Sequence, residues 1–246
     1  MMVEAVAKLS KPKKMKPLLT FILMLCLWTI GAQKMNHSEW TKILQLHVSE
    51  SGEVNYKEFN NNRRSLENYL DNLANHPPQD HWSLTETKAY WINAYNAYTI
   101  QLILDDYPLK SIKDINDPWG QTFFKINGET MSLNAIEHEI LRPMGDPQIH
   151  FAIVCASESC PKLLNYAYEP ETLNDQLDQA AKEFINDASK NNITASQITI
   201  SKIFKWFKSD FPKGAAFITY LNNYSALKIH PDTKINYQNY NWSLNA

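Results

Sequence analysis

One segment limits the fold more than any other part of the chain: SLTETKAYWINAYNAYTIQLILDDYP, residues 83–108. Ser83 and Glu86 have the spacing of a capping box, which marks the start of a helix. Pro108 marks the end of the helix, because proline cannot continue it. Most residues between these limits are apolar or aromatic. We therefore expect the longest and most buried helix of the protein here, with the other elements packed around it.

Two asparagines interrupt one apolar face of this helix. Asn93 and Asn96 share an i, i+3, i+4, i+7 stripe with aliphatic residues, namely Ala97, Ile100, Ile103 and Leu104. A buried amide without a partner costs free energy, so polar groups must face both side chains. The two amides either hold a loop through its backbone or serve a binding site, and the residue types alone allow both.

A second motif places a carboxylate on an apolar stripe. The segment SLNAIEHEILRP, residues 132–143, predicts a short helix from a Ser132 cap to a stop before Pro143. Glu137 falls on the apolar stripe, and His138 lies at its edge, about 100° round the helix. A buried carboxylate needs a cation, an imidazole, several donors or a proton. Glu137 is thus expected to point inward, into an ion pair or a functional site.

The third motif, HFAIVCASESCP, residues 150–161, holds two of the three cysteines. The nearly continuous apolar run predicts a strand buried on both faces. In such a strand His150 and Cys155 point to opposite faces. A polar turn follows, and Pro161 predicts the first position of a helix-like segment, which would place the Cys160 thiol near a helix N-terminus.

The first 32 residues have the order of a secretory signal. Five lysines precede the apolar run from Leu18 to Ile30, and small residues follow at Gly31 and Ala32. The run is shorter than the roughly 20 residues of a membrane-spanning helix. We therefore predict a signal peptide over residues 1–32, cleavage near Ala32, no stable membrane anchor afterwards, and a periplasmic or secreted protein.

Composition narrows the classes of function. The formal net charge of −2 argues against a nucleic-acid partner, because such binding depends on clustered Lys and Arg. The chain has six glycines and contains neither GxGxxG nor GxxxxGK[ST], so no cofactor is expected. Residues 33–246 contain no linker or repeat, and they predict a single helix-rich α+β domain with a small sheet. A long buried helix on a small sheet is distantly similar to the papain and transglutaminase architecture.

Six motifs in order resemble one known family. They are VNY, YWINAYNAYTIQLIL, SLNAIEHEILRP, HFAIVCASESCPKL, ITISKIFKWFKSDF and YNWSLN. Over residues 52–244 the chain resembles the domain of unknown function 547 family, whose members are exported bacterial proteins and plant proteins. Val154 departs from the family pattern, since many members carry Asn before the first cysteine. The resemblance implies no mechanism.

The leading hypothesis is a cysteine-dependent hydrolase or acyl transferase. Cys155 would be the nucleophile, His138 or His150 the base, and Glu137 the group that orients the imidazole. Binding residues would be Asn93 and Asn96 as oxyanion donors, together with Ser157 and Cys160. Such chemistry predicts a peptide or another amide-containing substrate. We assign no chemistry to Asp210, Phe211 or residues 240–244, which are expected to pack the closing segment.

Two alternatives remain open at this point. The first is a non-catalytic binding or interaction module in which a Cys155–Cys160 disulfide shapes a loop, as an oxidising compartment favours. The second is a zinc site formed by His138, His150, Cys155 and Cys160, since mixed nitrogen and sulfur ligands suit zinc.

Overall fold

The computed structural model describes residues 35–194 and 197–246. The predicted signal peptide and its cleavage near Ala32 lie outside the described residues. Within the described part of the chain, no helix combines the length and the apolar character needed to cross a membrane.

The long helix predicted from the sequence is confirmed as α4, Leu84–Asp105. Ser83 accepts a hydrogen bond from the backbone N–H of Glu86, and the Glu86 carboxylate accepts one from the backbone N–H of Ser83. Almost every side chain from Lys88 to Leu104 is buried. Helices α1 (Ser38–His47), α2 (Tyr56–Asn61) and α3 (Arg64–Asn75) form a layer in which α2 and α3 pack against α4 and α1 packs against α3.

Within residues 35–194 and 197–246, five short strands form two small sheets. Strands β1 (Phe124–Ile126) and β2 (Glu129–Met131) make an antiparallel hairpin. Its turn is Asn127-Gly128, with φ of 52° and 79°, the left-handed pair that a tight hairpin requires. In the second sheet β4 (Gln197–Ile200) pairs antiparallel with β3 (Asn192–Ile193) and parallel with β5 (Lys234–Tyr237), and Ile198 lies opposite Ile235. The protein is therefore the helix-rich α+β fold that the sequence predicts.

The core of the described part of the chain has two parts. The larger part surrounds α4, and the smaller one is rich in phenylalanine and lies among α5 (Leu173–Asn186), α6 (Ile203–Trp206) and α7 (Ala215–Tyr224). The segment 147–156 joins them, since Phe151 packs in the smaller part while Ile149 and Ile153 pack in the larger. Its position between two cores accounts for its nearly continuous apolar sequence.

The predicted strand over this segment is wrong. Pro147–Phe151 is a 3-10 helix whose N-cap, Asp146, accepts a hydrogen bond from the N–H of Gln148, and the residues that follow have no ladder partner strand in the described part of the chain. Burial on both faces comes from two cores, not from two sheet faces. The helix predicted after Pro161 is also absent, so Cys160 does not lie at a helix N-terminus.

The C-terminal segment crosses the loop that carries the two cysteines. Ser157 forms an isolated antiparallel bridge with Leu244, and the N–H of Glu158 donates to the carbonyl of Ser243. The N–H of Ser159 donates to the carbonyl of Asn241. These bonds bring residues 240–244 beside the cysteines, although Tyr240 lies 80 positions after Cys160 and 85 after Cys155.

Candidate functional site

A cleft of about 340 Å³ gathers the predicted catalytic residues. Glu137, His138, His150 and Cys155 all line it, and Cys160 lines it as well. The sequence prediction that His150 and Cys155 point away from each other is wrong, because the chain around them is not a strand. Ser157 is buried directly behind the sulfur of Cys155.

Cys155 and Cys160 form a disulfide, with their sulfur atoms 2.03 Å apart. Three groups donate hydrogen bonds toward these sulfurs, which carry no proton in this state. The N–H of Cys155 lies 2.9 Å from Sγ of Cys160, and the hydroxyl of Ser157 lies 3.1 Å from Sγ of Cys155. The Tyr240 hydroxyl lies 3.2 Å from both sulfurs. Cys155 is partly exposed, whereas Cys160 is 4% exposed.

Glu137 points inward, as the stripe predicts, but it forms no ion pair within the described residues. It lies on a short π-helix, Ala135–Leu141, and Ser132 accepts the hydrogen bond of the Ala135 N–H at its start. The Tyr95 hydroxyl donates to Oε2 at 3.3 Å, and Oε1 is buried without a described partner. Burial raises the pKa of this carboxyl to about 7, so a substantial fraction is protonated at neutral pH.

His138 and Arg142 form one side of a charged network. Nδ1 of His138 accepts a hydrogen bond from Nη1 of Arg142 at 3.0 Å, since a guanidinium can only donate. Burial and the neighbouring Arg142 cation lower the pKa of His138. Arg142 binds Asp210 through two nitrogens, Nε at 2.6 Å and Nη2 at 2.8 Å, and this pairing holds the pKa of Asp210 well below its usual range.

Asp210 also holds the imidazole of His150. Nε2 of His150 lies 2.8 Å from Oδ2 of Asp210, and the ring stacks on Phe207 with 4.0 Å between centroids. Burial lowers the pKa of His150 to about 4 and outweighs the opposing effect of Asp210. The contact is therefore a hydrogen bond from a neutral imidazole, which leaves Nδ1 as the basic nitrogen. The carboxylate bonded to His150 is Asp210, whereas Glu137, the residue predicted to orient the imidazole, bonds to Tyr95.

Asn93 and Asn96 do not line this cleft, and both bond to loop backbone through the two ends of their amides. Asn93 donates to the carbonyl of Tyr168 and accepts from its N–H, at 2.8 and 3.0 Å. Asn96 donates to the carbonyl of Ala152 and accepts from the N–H of Val154, at 2.9 and 3.0 Å. Both amides fasten loop backbone to α4. The prediction that they serve the site is therefore corrected to the structural alternative.

An aromatic wall faces the cysteines and was not predicted. It consists of Trp119, Trp206, Tyr240 and Trp242. The Trp206 and Trp242 rings stack with centroids 5.6 Å apart, and Trp206 is 45% exposed. The sequence signal for this wall is the closely spaced YNW near the C-terminus, which the sequence analysis assigns to packing. Asp210, the partner of His150, is assigned to packing in the same way.

Residues 35–194 and 197–246 contain no set of ligands for the zinc site proposed as an alternative. No three His, Cys, Asp or Glu side chains converge there in a way that could hold a metal ion.

Comparison with other proteins finds a family match over one part of the chain. No curated protein and no solved structure matches the chain. Residues 79–185 include α4, the Glu137 helix and both disulfide cysteines. These residues match the model of the family described as "Protein of unknown function, DUF547", which confirms the family resemblance read from the motifs.

Proposed function

We propose that the cleft is the active site of an exported thiol-dependent hydrolase or acyl transferase. The observation that carries the proposal is the convergence of Cys155, His138, His150 and Glu137 on one cleft. A hydrogen-bonded pair, His150 with Asp210, supplies the imidazole and the carboxylate that a cysteine nucleophile requires. A structural role for the disulfide alone would leave the buried carboxyl and the aromatic wall unexplained.

The roles of the residues follow from their protonation states. Once the disulfide is reduced, Nδ1 of His150 accepts the Cys155 thiol proton, and the sulfur attacks the substrate carbonyl carbon. The carbon–nitrogen bond of an amide then breaks, the leaving amine takes the proton from the imidazolium, and a thioester remains. Water or an acyl acceptor releases the acyl group. Asp210 holds the imidazole and stabilises its charged form.

The surroundings of the sulfur supply further donors. The Tyr240 hydroxyl and the partly protonated Glu137 carboxyl can both donate hydrogen bonds within the cleft. The stacked Trp206 and Trp242 rings offer a flat apolar surface to a peptide or another amide-containing substrate. Export is part of the proposal, because the Lys-rich, apolar and small-residue order of residues 1–32 is typical of a signal peptide.

A second candidate is a non-catalytic binding module. The observation that favours it is the disulfide, which leaves Cys155 without a thiol in the oxidised state. In this alternative the loop and the aromatic wall bind a ligand, and the His150–Asp210 pair only packs the cleft.

Acyl transfer to the reduced protein separates the two candidates. We expect reduced protein, treated with p-nitrophenyl acetate, to gain one acetyl group that maps to Cys155. His150→Gln should slow its formation about a hundredfold, because it removes the base. Asp210→Asn is a second, milder variant that should slow it less.

His230→Gln is the matched control, since His230 is an exposed histidine outside the cleft. Circular dichroism of each variant establishes that it is folded. If Cys155 in the folded protein reacts no faster than free cysteine and His150→Gln has no effect, the hydrolase proposal is rejected. The binding module then takes its place.

A further inference from the structure

The proposed nucleophile is held in a disulfide, so another thiol must open that bond before acyl chemistry can start. We propose that Cys155–Cys160 is a reducible pair that exchanges with dithiols entering the cleft, with Cys155 as the sulfur that is attacked. The consequence for catalysis rests on the proposed function. The exchange itself does not, and it can be measured without any acyl substrate.

The first argument is that the loop does not need the disulfide to keep its shape. The N–H of Cys160 donates to the carbonyl of Ser157 at 2.9 Å, and Glu158 and Ser159 bond to the C-terminal segment. A disulfide across five residues closes a short loop, and short loops gain the least stabilisation from closure. Opening the bond therefore leaves a loop that the backbone still holds.

The second argument is an asymmetry between the two sulfurs. Cys155 is partly exposed, while Cys160 is nearly buried. Both sulfurs have two hydrogen-bond donors. For Cys160 they are the Cys155 N–H at 2.9 Å and the Tyr240 hydroxyl at 3.2 Å, and for Cys155 they are the Ser157 hydroxyl at 3.1 Å and the Tyr240 hydroxyl at 3.2 Å. Hydrogen-bond donors stabilise a thiolate, and a stabilised thiolate is the better leaving group. Donors stabilise either thiolate, so access sets the direction: an incoming thiolate reaches Cys155, and Cys160 leaves as the stabilised thiolate.

The exchange balances in two steps. One thiolate of the dithiol attacks Sγ of Cys155, the Cys155–Cys160 bond breaks, and its electron pair goes to Cys160. The second thiolate of the dithiol then attacks its own mixed disulfide and releases Cys155 as a thiolate. The protein disulfide gains two electrons, the dithiol loses two and becomes a cyclic disulfide, and the two dithiol protons pass to the protein thiolates or to water.

This exchange would set when the cleft is active. In an oxidising compartment the pair rests as a disulfide, and the proposed nucleophile is absent. A dithiol reductant would supply it, and oxidation would remove it again.

The test compares reduction of the folded and the unfolded protein. The wild-type protein is exposed to dithiothreitol in buffer and in guanidinium chloride, quenched in acid and alkylated, and its free thiols are counted by intact mass. We expect the folded rate to lie within about tenfold of the unfolded rate, as for an accessible disulfide. A folded rate more than about a hundredfold slower overturns the proposal, because the bond would then open only when the protein unfolds.

The direction of attack has its own test. Cys160→Ser leaves Cys155 free, and Cys155→Ser leaves Cys160 free. With 2,2′-dithiodipyridine, the first variant should form its mixed disulfide at least about tenfold faster than the second, because Cys155 is the more accessible. Equal rates, or faster reaction of Cys160, overturn the assigned direction.

Tyr240→Phe tests the leaving group while keeping the aromatic ring of the wall. It should slow reduction of the folded protein about fivefold, because one donor to the departing thiolate is lost. Tyr237→Phe is the matched control, since Tyr237 is also a C-terminal tyrosine but lies outside the cleft, and it should leave the rate unchanged. If Tyr240→Phe has no effect, the hydroxyl does not assist the exchange, and that part of the inference is overturned.

These results separate the two proposals. If the folded pair exchanges readily but reduced Cys155 forms no acetyl adduct, the hydrolase proposal falls and the redox inference stands. If the pair resists dithiothreitol in the folded protein but a reduced and refolded sample forms the adduct, the reverse holds.

Discussion

Two polar groups point into this protein from neighbouring helices, and they differ in how they are satisfied. Asn96 on α4 uses both ends of its amide on loop backbone, at 2.9 and 3.0 Å. Glu137, on the helix packed against α4, has one oxygen bonded to Tyr95 and the other buried without a described partner. The sequence presents them alike, as polar residues on apolar stripes. A group bonded at both ends serves the fold, whereas a carboxyl with one oxygen left without a described partner keeps an altered pKa and remains available for chemistry.

The largest expected effect is at the paired group. Asn96→Ala leaves the carbonyl of Ala152 and the N–H of Val154 buried without partners, and each such group costs roughly 1–3 kcal/mol. We expect the free energy of unfolding to fall by about 4 kcal/mol, measured by guanidinium titration. Asn61→Ala, an exposed position on α2, is the control and should change it by less than about 0.5 kcal/mol. If Asn96→Ala lowers the free energy of unfolding no more than Asn61→Ala does, the contrast drawn between Asn96 and Glu137 is wrong.

A smaller effect on stability, which depends on pH, is expected at Glu137, the incompletely paired group. Burial raises the pKa of Glu137 from 4.5 to about 7, so the folded state binds the extra proton between these values. Stability should therefore fall as pH rises through this range, by up to about 3 kcal/mol in total above pH 7. Glu137→Gln should remove this fall and make the variant more stable than wild type at pH 8.

Thermal and guanidinium unfolding at pH 5, 6, 7 and 8 measures this slope. The acid and amide have nearly the same shape, so the comparison isolates the charge. If the stability of wild type and of Glu137→Gln changes with pH in the same way, the assigned burial of the Glu137 carboxyl is wrong.

The smallest expected effect concerns the single partner of Glu137. The Tyr95 hydroxyl donates to the Glu137 carboxylate and so opposes the rise in its pKa that burial causes. In Tyr95→Phe the pKa of Glu137 should therefore rise further, and the protein should lose about 1 kcal/mol of stability. Carboxyl carbon NMR follows the titration directly. Tyr98→Phe, one turn further along α4, should leave the pKa of Glu137 unchanged, and a downward shift in Tyr95→Phe would contradict the role of the hydroxyl.

Local rules predicted some elements well because their causes are local. The capping box at Ser83 and the proline at 108 bound α4 correctly. The segment ITISKIFKWF, whose local pattern predicts a strand turning into a helix, forms β4 and α6. In each case the deciding interactions join residues at most a few positions apart, and a sequence displays them.

The segment 147–156 shows why the same rules fail elsewhere. Its apolar run indicates that both sides of the segment are buried, but it does not indicate which elements bury them. A backbone can be buried on two sides by a sheet or by two separate cores, and the second arrangement needs another source of hydrogen bonds. Asn96 supplies that source from more than 50 residues away, which no local pattern displays.

The sequence by itself determined the long helix, the inward direction of Glu137, the family resemblance and the residue types of the candidate site. Tertiary structure decided which of these residues meet. It bonded Asp210 to His150, placed Tyr240 against both sulfurs and bonded the two asparagines to loop backbone. The physical reason is that burial marks a residue as needing a partner, while the identity of that partner depends on chain segments 60 to 85 residues away.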